Sequence, residues 1–467
     1  MQAMGYDWAA DYGRTYLMPP ALDDWIGPDH PARFVRSFVE RFSSKEWQIE
    51  ERRGGFGRPA YEEELLLKLW MYAYLRGIFS SRGVERACRE MVPFMWLAGE
   101  HRPDHNTLWR FWTGHQRTIG RVFELGLDVS REMELVGLEL QAVDGTKIQA
   151  CGSPRSMTTR EQLERRRERN HQRRLEIERA IQQAEEREKN EPEVGGLTEE
   201  LQNRKRLEEK IDELLEKIDP NARQNPFEKD ARPLKGCGLG YNAQAMVDDT
   251  AGLIVAEAVV SDANDQKQLV PMVDQVVERF GQPAAETLAD GGYNTERALA
   301  EAEEKNYEVL VAAGPGEPTR DDQKPYHSTR FTHDPIRDVV VCPAGKDLTF
   351  ERTKRRKNGT EVRIFRGREC RHCPVRAACT RDPRGRSFDL SPHRGAVMRQ
   401  REKRGLPTNR QRYKRRMPLA ERTFAVIKRQ LRFTRFKARG LANAALEWNF
   451  ICGIFNLKLL AALPLPA

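Results

Sequence analysis

The chain has 467 residues, of which 39% are hydrophobic and 32% are charged. This length predicts two or three domains, and the net charge of +9 with an isoelectric point near 9.1 favours a polyanionic partner. Residues 1–10 lack an apolar leader, and the longest apolar stretch, 448–463, is interrupted by polar residues (Asn449, Asn456 and Lys458). We therefore expect a soluble, cytoplasmic protein with no membrane partner.

The first 137 residues have the apolar spacing of helices. The pattern predicts helices over 61–74, 81–91 and 107–134, and the first of these follows the glycine-rich segment 52–59. We expect a helical N-terminal domain, 1–137, whose basic loops suit contact with a polyanion. A packing or dimerisation domain without such contacts is the alternative.

An apolar strand over 138–144 opens the next domain. Two highly charged segments follow, 160–190 and 197–218, with the turn signal 191–196 between them. Apolar residues recur on one helix face of the second segment, at Leu207, Ile211, Leu214 and Ile218. This spacing predicts an antiparallel helical hairpin inserted at 158–235.

Strands and helices alternate after this insertion. The pattern predicts strands and helices in the order strand 241–248, strand 253–260, helix 265–280, strand 286–289, helix 295–305 and strand 307–312. This order favours a mixed sheet flanked by helices, which is α/β (α+β overall) as a fold class. We assign 138–157 and 236–325 to the first part of a catalytic core.

Three acidic residues stand out in this framework. Asp144 and Asp290 each close a predicted strand and precede a glycine, at the sheet edge where ligands bind in open α/β folds. Glu421 begins a predicted helix, 419–432. Three such carboxylates can hold two divalent metal ions for chemistry on phosphodiesters. The alternatives are turn residues for the aspartates and an ion pair with Arg416 or Arg422 for Glu421.

The motifs around these residues resemble bacterial insertion-sequence DDE transposases with an InsH-like N-terminal domain. The similarity covers nearly the whole chain and rests on Gly57–Tyr61, Pro103–Thr107, Val143–Thr146, Ser261–Asp265, Ala289–Tyr293 and Glu421–Phe424 with Lys428. It implies an RNase H-like core with Asp144, Asp290 and Glu421 as the catalytic triad and two Mg²⁺ or Mn²⁺ ions as cofactors. Four residues separate Arg416 from Glu421, where the family usually has three.

Four cysteines have the spacing of a metal site. Cys370 and Cys373 form a Cys-x-x-Cys pair, and Cys342 and Cys379 can complete a tetrahedral structural Zn²⁺ site. The basic hairpin 348–365 between them would form a poor core unaided, so a metal would supply folding energy. We assign 326–392 to a zinc-knuckle insertion. Free thiols, with His372 or His393 as substitute ligands, are the alternative.

The C-terminal segment, 393–467, is predicted to form basic helices that carry the third carboxylate. From 394 to 439 there are 17 lysines or arginines against two glutamates. Such a surface suits phosphate contacts, which give affinity without sequence specificity. The candidate DNA-binding residues are Tyr413, Arg416, Lys428, Arg429 and, in the N-terminal domain, Arg58.

These features together predict a DNA transposase that cuts the ends of an insertion sequence and joins the 3′-hydroxyls to target DNA. Its partners would be double-stranded DNA, as terminal inverted repeats and as target, and a second copy of the chain in a homodimer. A metal-dependent nuclease on the same RNase H-like core is one alternative. A catalytically inactive, domesticated DNA-binding protein is the other.

Overall fold

The computed structural model describes residues 21–49, 60–186, 191–218, 223, 225–315, 317–318, 324–356 and 359–463. The chain divides into two compact units, one within 1–124 and 457–467 and the other within 125–456. Arg58 lies outside the described residues. None of the helices in the described ranges is long and apolar enough to cross a membrane.

Helices occupy much of the described chain. Their bounds are α1 Pro31–Glu40, α2 Glu63–Leu75, α3 Ser81–Glu90, α4 Val92–Leu97, α5 His105–Gly114, α6 Gln116–Glu132, α7 Arg160–Glu186, α8 Glu191–Lys217, α9 Leu269–Phe280, α10 Glu296–Glu304, α11 Arg376–Cys379, α12 Arg394–Gly405, α13 Pro407–Tyr413, α14 Arg416–Ala425 and α15 Leu441–Leu460. A π-helical turn, Val426–Gln430, follows α14 directly.

The first unit confirms the helices predicted over 61–74 and 81–91. The single helix predicted over 107–134 is wrong, because the chain breaks at His115 into α5 and α6. Asp104, in the motif Pro103–Thr107, caps α5 by accepting a hydrogen bond from the Thr107 backbone N–H at 2.7 Å. This motif residue therefore has a structural role at the start of a helix.

The main sheet consists of β1 Gln141–Gln149, β2 Arg232–Leu234, β3 Gly238–Asp248, β4 Ile254–Val260, β5 Thr287–Ala289 and β6 Val309–Val311. Its order is β2-β3-β1-β5-β6, with β4 also paired to β3. β1, β3 and β4 are antiparallel, whereas β5 and β6 run parallel to β1. Three antiparallel strands followed by two parallel ones, with α9 and α10 as the crossovers, form an RNase H-like fold. The predicted fold class is confirmed.

The predicted helical hairpin consists of α7 and α8, which pack along each other. Leu163, Ile211, Leu215 and Ile218 are buried between them, and Leu207 and Leu214 pack against this cluster. The predicted apolar seam is therefore present. The turn predicted at 191–196 is wrong, because α8 already begins at Glu191.

The meander sheet is a separate antiparallel sheet, in the order β11-β10-β9-β8-β7. Its strands are β7 Thr332–Asp334, β8 Val339–Val341, β9 Asp347–Arg355, β10 Glu361–Arg366 and β11 Ser387–Leu390. The predicted basic hairpin is present as β9 and β10. The sheet buries an apolar cluster, Phe331, Val340, Leu348, Phe365 and Phe388, to which the predicted hairpin supplies only Leu348 and Phe365. The other three residues of the cluster, Phe331, Val340 and Phe388, lie outside the predicted hairpin.

The C-terminal helices cover the main sheet. α14 packs against β1 and β3, and α12 packs against β6. Phe424, Phe433 and Phe436 are buried, as expected for the apolar side of a basic segment. The indole N–H of Trp448, on α15, donates to the Gln244 carbonyl of β3 at 2.9 Å.

Candidate active site

Asp144 lies in the middle of β1. The predicted end of the strand near Asp144 is wrong, because residues 145–149 continue the antiparallel ladder with β3. The apolar run stops at Val143 while the backbone pairing continues, and the sequence shows only the first of these. Asp144 pairs with Ala245 across the ladder, so its position on the sheet is fixed by a central strand rather than by a loop.

Asp290 follows β5 directly, as predicted. β5 pairs in parallel with β1 through Gln141 and Thr287, which brings the two aspartates onto neighbouring strands. The Asp290 Oδ1 atom accepts the Gly292 backbone N–H at 2.7 Å. This short loop holds the carboxylate at the end of the strand.

Arg416 joins the two aspartates. Its Nη2 lies 3.0 Å from Asp144 Oδ1 and 3.8 Å from Asp290 Oδ2, and the side chain is only 12% exposed. The Arg416 Nε atom is buried and has no hydrogen-bond acceptor among the described residues. One largely buried guanidinium thus serves two carboxylates while one of its own donors stays unsatisfied.

The electrostatic environment shifts the titration of Asp144. Burial raises the pKa of Asp144 to about 6, against the opposing effect of the Arg416 guanidinium. The carboxylates of Asp290 and Asp265 raise this pKa further, and the Gly145 N–H lowers it. Like charges at short range disfavour ionisation. Three aspartates, Asp144, Asp290 and Asp265, lie near one another here, and the single guanidinium of Arg416 cannot balance three negative charges.

Asp265, the last residue of the motif Ser261–Asp265, is a carboxylate near the site that was not predicted as a site residue. Its Oδ1 atom accepts hydrogen bonds from Asn242 Nδ2 at 2.8 Å and from Gln244 Nε2 at 2.6 Å, both on β3. The buried Tyr293 hydroxyl donates to Gln244 Oε1. Burial raises the pKa of Tyr293 well above its ordinary value, and the three nearby aspartates add to this effect. The sequence signal for this role of Asp265 is the pair of amides Asn242 and Gln244, which lie two residues apart in the mostly apolar strand β3.

Glu421 lies within α14, five residues after Arg416, rather than at the start of a helix as predicted. Its side chain is exposed. Within the described part of the chain, no hydrogen bond or ion pair joins Glu421 to Asp144, Asp290 or Arg416. The alternative partner Arg416 is instead paired with the two aspartates. The structure therefore brings Asp144 and Asp290 together, with Glu421 on the helix that carries their guanidinium.

The candidate DNA contacts differ in their surroundings. The Tyr413 hydroxyl donates to the Ala289 carbonyl at 3.1 Å, one residue before Asp290. The Lys428 Nζ donates to the Lys147 carbonyl of β1 at 3.2 Å, and burial lowers the pKa of Lys428. Arg429 is exposed. Tyr413 and Lys428 thus brace the strands of the main sheet, and Arg429 faces solvent.

The four cysteines of the predicted zinc site lie close together in the meander sheet. Burial raises the pKa of Cys379, the nearby Arg386 lowers it, and Cys370, Cys342 and Cys373 raise it further. Cys342 and Cys379 pack against the core of this sheet. All four are free thiols. The spacing therefore brings them within electrostatic reach of one another.

Neither cluster has the complete arrangement of a metal site. Across the described ranges, no group of three or more histidine, cysteine, aspartate or glutamate side chains is placed to hold a metal ion. The donor chemistry nevertheless fits a hard cation at Asp144 and Asp290, because Mg²⁺ takes one or two carboxylates and completes its shell with water and phosphate oxygens. The excess of carboxylates around Arg416 also favours a bound cation at this position.

Two family models match the chain. The one described as "Transposase DDE domain" matches residues 341–461, and the one described as "Transposase domain (DUF772)" matches residues 20–113. The first range contains Glu421 but neither Asp144 nor Asp290. A search of the curated proteins finds no match.

A solved structure with some similarity is the "Cryo-EM structure of piggyBac transposase synaptic complex with hairpin DNA (SNHP)". The similarity has a TM-score of 0.35 at 10% sequence identity and covers 92% of this chain and 74% of that chain. A TM-score of this size does not define a fold. The RNase H-like assignment rests on the strand order given above.

Proposed function

Because the chain belongs to the insertion-sequence DDE transposases, we propose that it cuts the ends of its element and joins the freed 3′-hydroxyls to target DNA by two-metal-ion chemistry. The observation that carries this proposal is the pair of aspartates on adjacent strands, Asp144 and Asp290, that share the guanidinium of Arg416. Burial and the neighbouring carboxylates raise the pKa of Asp144 to about 6 despite this guanidinium, and a divalent cation would stabilise the ionised form.

Asp144, Asp290 and Glu421 are the proposed catalytic residues. Asp144 and Asp290 would hold divalent cations, Mg²⁺ or Mn²⁺, which supply electrostatic stabilisation to the attacking and leaving oxygens of the phosphodiester. Glu421 lies on α14, which packs against β1, and its exposed carboxylate is free to turn toward DNA and cation. Arg416 keeps the two aspartates together in the absence of DNA.

Residues around the triad orient it. The Tyr413 hydroxyl fixes the end of β5 through the Ala289 carbonyl, and Lys428 fixes β1 through the Lys147 carbonyl. Arg412 and Arg415 are paired with Glu286 and Asp249, so these positive charges are partly neutralised within the protein. Arg429, which is exposed, is the better candidate for a direct phosphate contact, as is Arg58 in the N-terminal domain.

A strand-transfer assay tests this function. The substrate is a labelled fragment that carries the DNA flanking the gene, with Mg²⁺ or Mn²⁺ present. We expect cuts at two inverted repeats and joined products with the wild type, and neither with Asp290→Asn. The matched control is Asp262→Asn, whose carboxylate lies near Lys267, on the loop after β4.

The products separate the alternatives. Cuts without joined products would identify a nuclease, and DNA binding without cuts would identify an inactive DNA-binding protein. A variant Asp290→Asn that cuts at the wild-type rate would remove Asp290 from the site. The stoichiometry of the complex on two labelled ends, read by mass photometry, tests the proposed homodimer.

We further propose that Cys342, Cys370, Cys373 and Cys379 hold a structural Zn²⁺. The support is their mutual proximity and the preference of zinc for four thiolates. Because the meander sheet has its own apolar core, we expect the metal to add stability to a sheet that is already packed. We expect Cys373→Ser to lower zinc content and the melting temperature together. Cys237→Ser, outside this group, is the control, and unchanged zinc content in Cys373→Ser would remove the site.

A further inference from the structure

Side-chain hydrogen bonds hold the Asp265 carboxylate in a fixed position beside the site. Its Oδ1 atom is held by two side-chain amides, Asn242 and Gln244, and Gln244 is itself held by the buried Tyr293. Both lone-pair directions of Oδ1 are engaged by N–H donors, which fixes the plane of the carboxylate. The second oxygen, Oδ2, is therefore aimed in one direction by the protein.

This oxygen lies beside Gly292, two residues after Asp290. A Cβ atom at Gly292 would lie 2.9 Å from Asp290 Oδ1 and 3.4 Å from Asp265 Oδ2, so both oxygens flank one point in space. The other Asp290 oxygen, Oδ2, is the one near Arg416. Asp290 thus has one oxygen near Arg416 and the other on the side of Gly292, where Asp265 Oδ2 also lies.

Two glycines make room for this arrangement. A Cβ at Gly145, the residue after Asp144, would collide with Asp265 Oδ1 and Gln244 Nε2. Neither Gly145 nor Gly292 has the positive φ that favours glycine for backbone reasons. Space for side-chain atoms, rather than backbone conformation, is therefore the physical requirement: for Asp265 and Gln244 at Gly145, and for Asp290 at Gly292.

We propose that Asp265 is a fourth acidic residue of this site, which presents Oδ2 to a divalent cation beside Asp290. The inference rests on the proposed function, because it assigns a further ligand to the same metal-dependent site. A divalent cation would balance the excess of carboxylates over guanidinium, and among the described residues no lysine or arginine forms an ion pair with Asp265. Asn242 and Gln244 are positioning residues that orient this ligand.

Metal binding, read without any DNA, tests the inference. Mn²⁺ titrations followed by electron paramagnetic resonance would compare the full-length wild type with Asp265→Asn and with Asp262→Asn on the same loop. We expect Asp265→Asn to weaken Mn²⁺ binding roughly 10–100-fold, the range known for groups that tune a metal site. Asp262→Asn should bind Mn²⁺ like the wild type.

A second variant keeps the test valid if Asp265→Asn disturbs folding. Gly145→Ala retains every carboxylate but displaces Asp265, so it should also weaken Mn²⁺ binding. Gly405→Ala, where a Cβ meets nothing within 4 Å, is its control. Wild-type Mn²⁺ affinity in both Asp265→Asn and Gly145→Ala would overturn the inference.

The outcomes also separate this inference from the proposed function. If Mn²⁺ binding depends on Asp265 and Asp290 but the wild type neither cuts nor joins DNA, the transposition chemistry fails and the fourth ligand stands. If Asp290→Asn abolishes both strand transfer and Mn²⁺ binding while Asp265→Asn changes neither, the fourth ligand fails and the triad stands.

Discussion

The main sheet and the meander sheet place acidic side chains in environments that shift their pKa in opposite directions. In the meander sheet arginines lower the pKa of the acids that they contact, as Arg363 does for Asp338 at 2.6 Å and Arg337 does for Asp334 at 2.8 Å. In the main sheet Asp144 and Asp290 share the guanidinium of Arg416, and burial of Asp144 nevertheless raises its pKa to about 6. Exposed pairs contribute little to stability and carry no chemistry. Carboxylates that lie close together and are partly buried are disfavoured in their ionised form, and a bound cation would stabilise that form.

The largest effect is expected at Glu421. Glu421→Gln removes the third carboxylate and should slow DNA cleavage more than about a hundredfold, since changes one shell further from a metal already cost 10–100-fold. The measurement is single-turnover cleavage of a labelled element end. Glu402→Gln, an exposed glutamate on α12, is the control. Wild-type cleavage by Glu421→Gln would place the third carboxylate elsewhere.

Arg416 is expected to give the next largest effect. Arg416→Ala leaves Asp144 and Asp290 without their shared cation and should lower the free energy of unfolding by about 3 kcal/mol, the lower end for broken buried pairs. Mg²⁺ should restore part of this loss, because it can replace the guanidinium charge. Chemical denaturation with and without Mg²⁺ measures both. A loss that Mg²⁺ does not change would contradict the claim that the aspartates bind a cation.

Glu257, on β4, should give a pH-dependent effect. Desolvation raises the pKa of Glu257 to about 7, although Asn449 and Arg279 favour the ionised form. The folded state therefore holds a proton that the unfolded chain releases near pH 4.5, so this group's stability contribution is full below pH 4.5 and falls as the pH rises to 7. The buried Cys452 also faces Glu257, and burial raises its pKa well above the ordinary value.

Glu257→Gln should remove this pH dependence. The variant should be more stable than the wild type by about 3 kcal/mol above pH 7 and should match it near pH 4. Urea unfolding of both proteins between pH 4 and 8 measures the difference. Parallel stability curves for the two proteins would show that Glu257 ionises normally in the folded state.

The smallest effect is expected for the exposed pair in the meander sheet. Asp338→Asn breaks the contact with Arg363, and both side chains are more than 40% exposed. Solvent screens this interaction, so we expect an unchanged melting temperature and unchanged DNA cleavage. Thermal unfolding and the cleavage assay check this. A large loss in either would show that the meander sheet has charge interactions comparable to those of the main sheet.

The periodic spacing of apolar residues along the sequence made most of the fold predictable. The strand and helix order of the main sheet and the helical hairpin follow from alternation and helical spacing, which burial imposes on the sequence. The end of β1 was missed because ladder hydrogen bonds continue beyond Val143 into less apolar residues. The break at His115 was missed because the apolar spacing continues across it.

The site was predictable only in part. Asp290 after β5 follows from the end of an apolar run, whereas the pairing of Arg416 with both aspartates depends on how α14 lies on β1. The role of Asp265 depends on the register between β1 and β3, which places Gly145 opposite Gln244. Register and helix placement are tertiary properties that a single sequence does not contain.

Replacing one ligand by a softer one tests most directly whether Asp144 binds the cation of the cleavage reaction. Asp144→Cys would be assayed for element-end cleavage in Mg²⁺ and in Mn²⁺, because thiolate is a poor ligand for Mg²⁺ and a better one for softer ions. We predict no cleavage in Mg²⁺, partial recovery in Mn²⁺, and no such recovery for Asp144→Ala. Equal cleavage by Asp144→Cys in both metals, near the wild-type rate, would contradict a metal-bound Asp144.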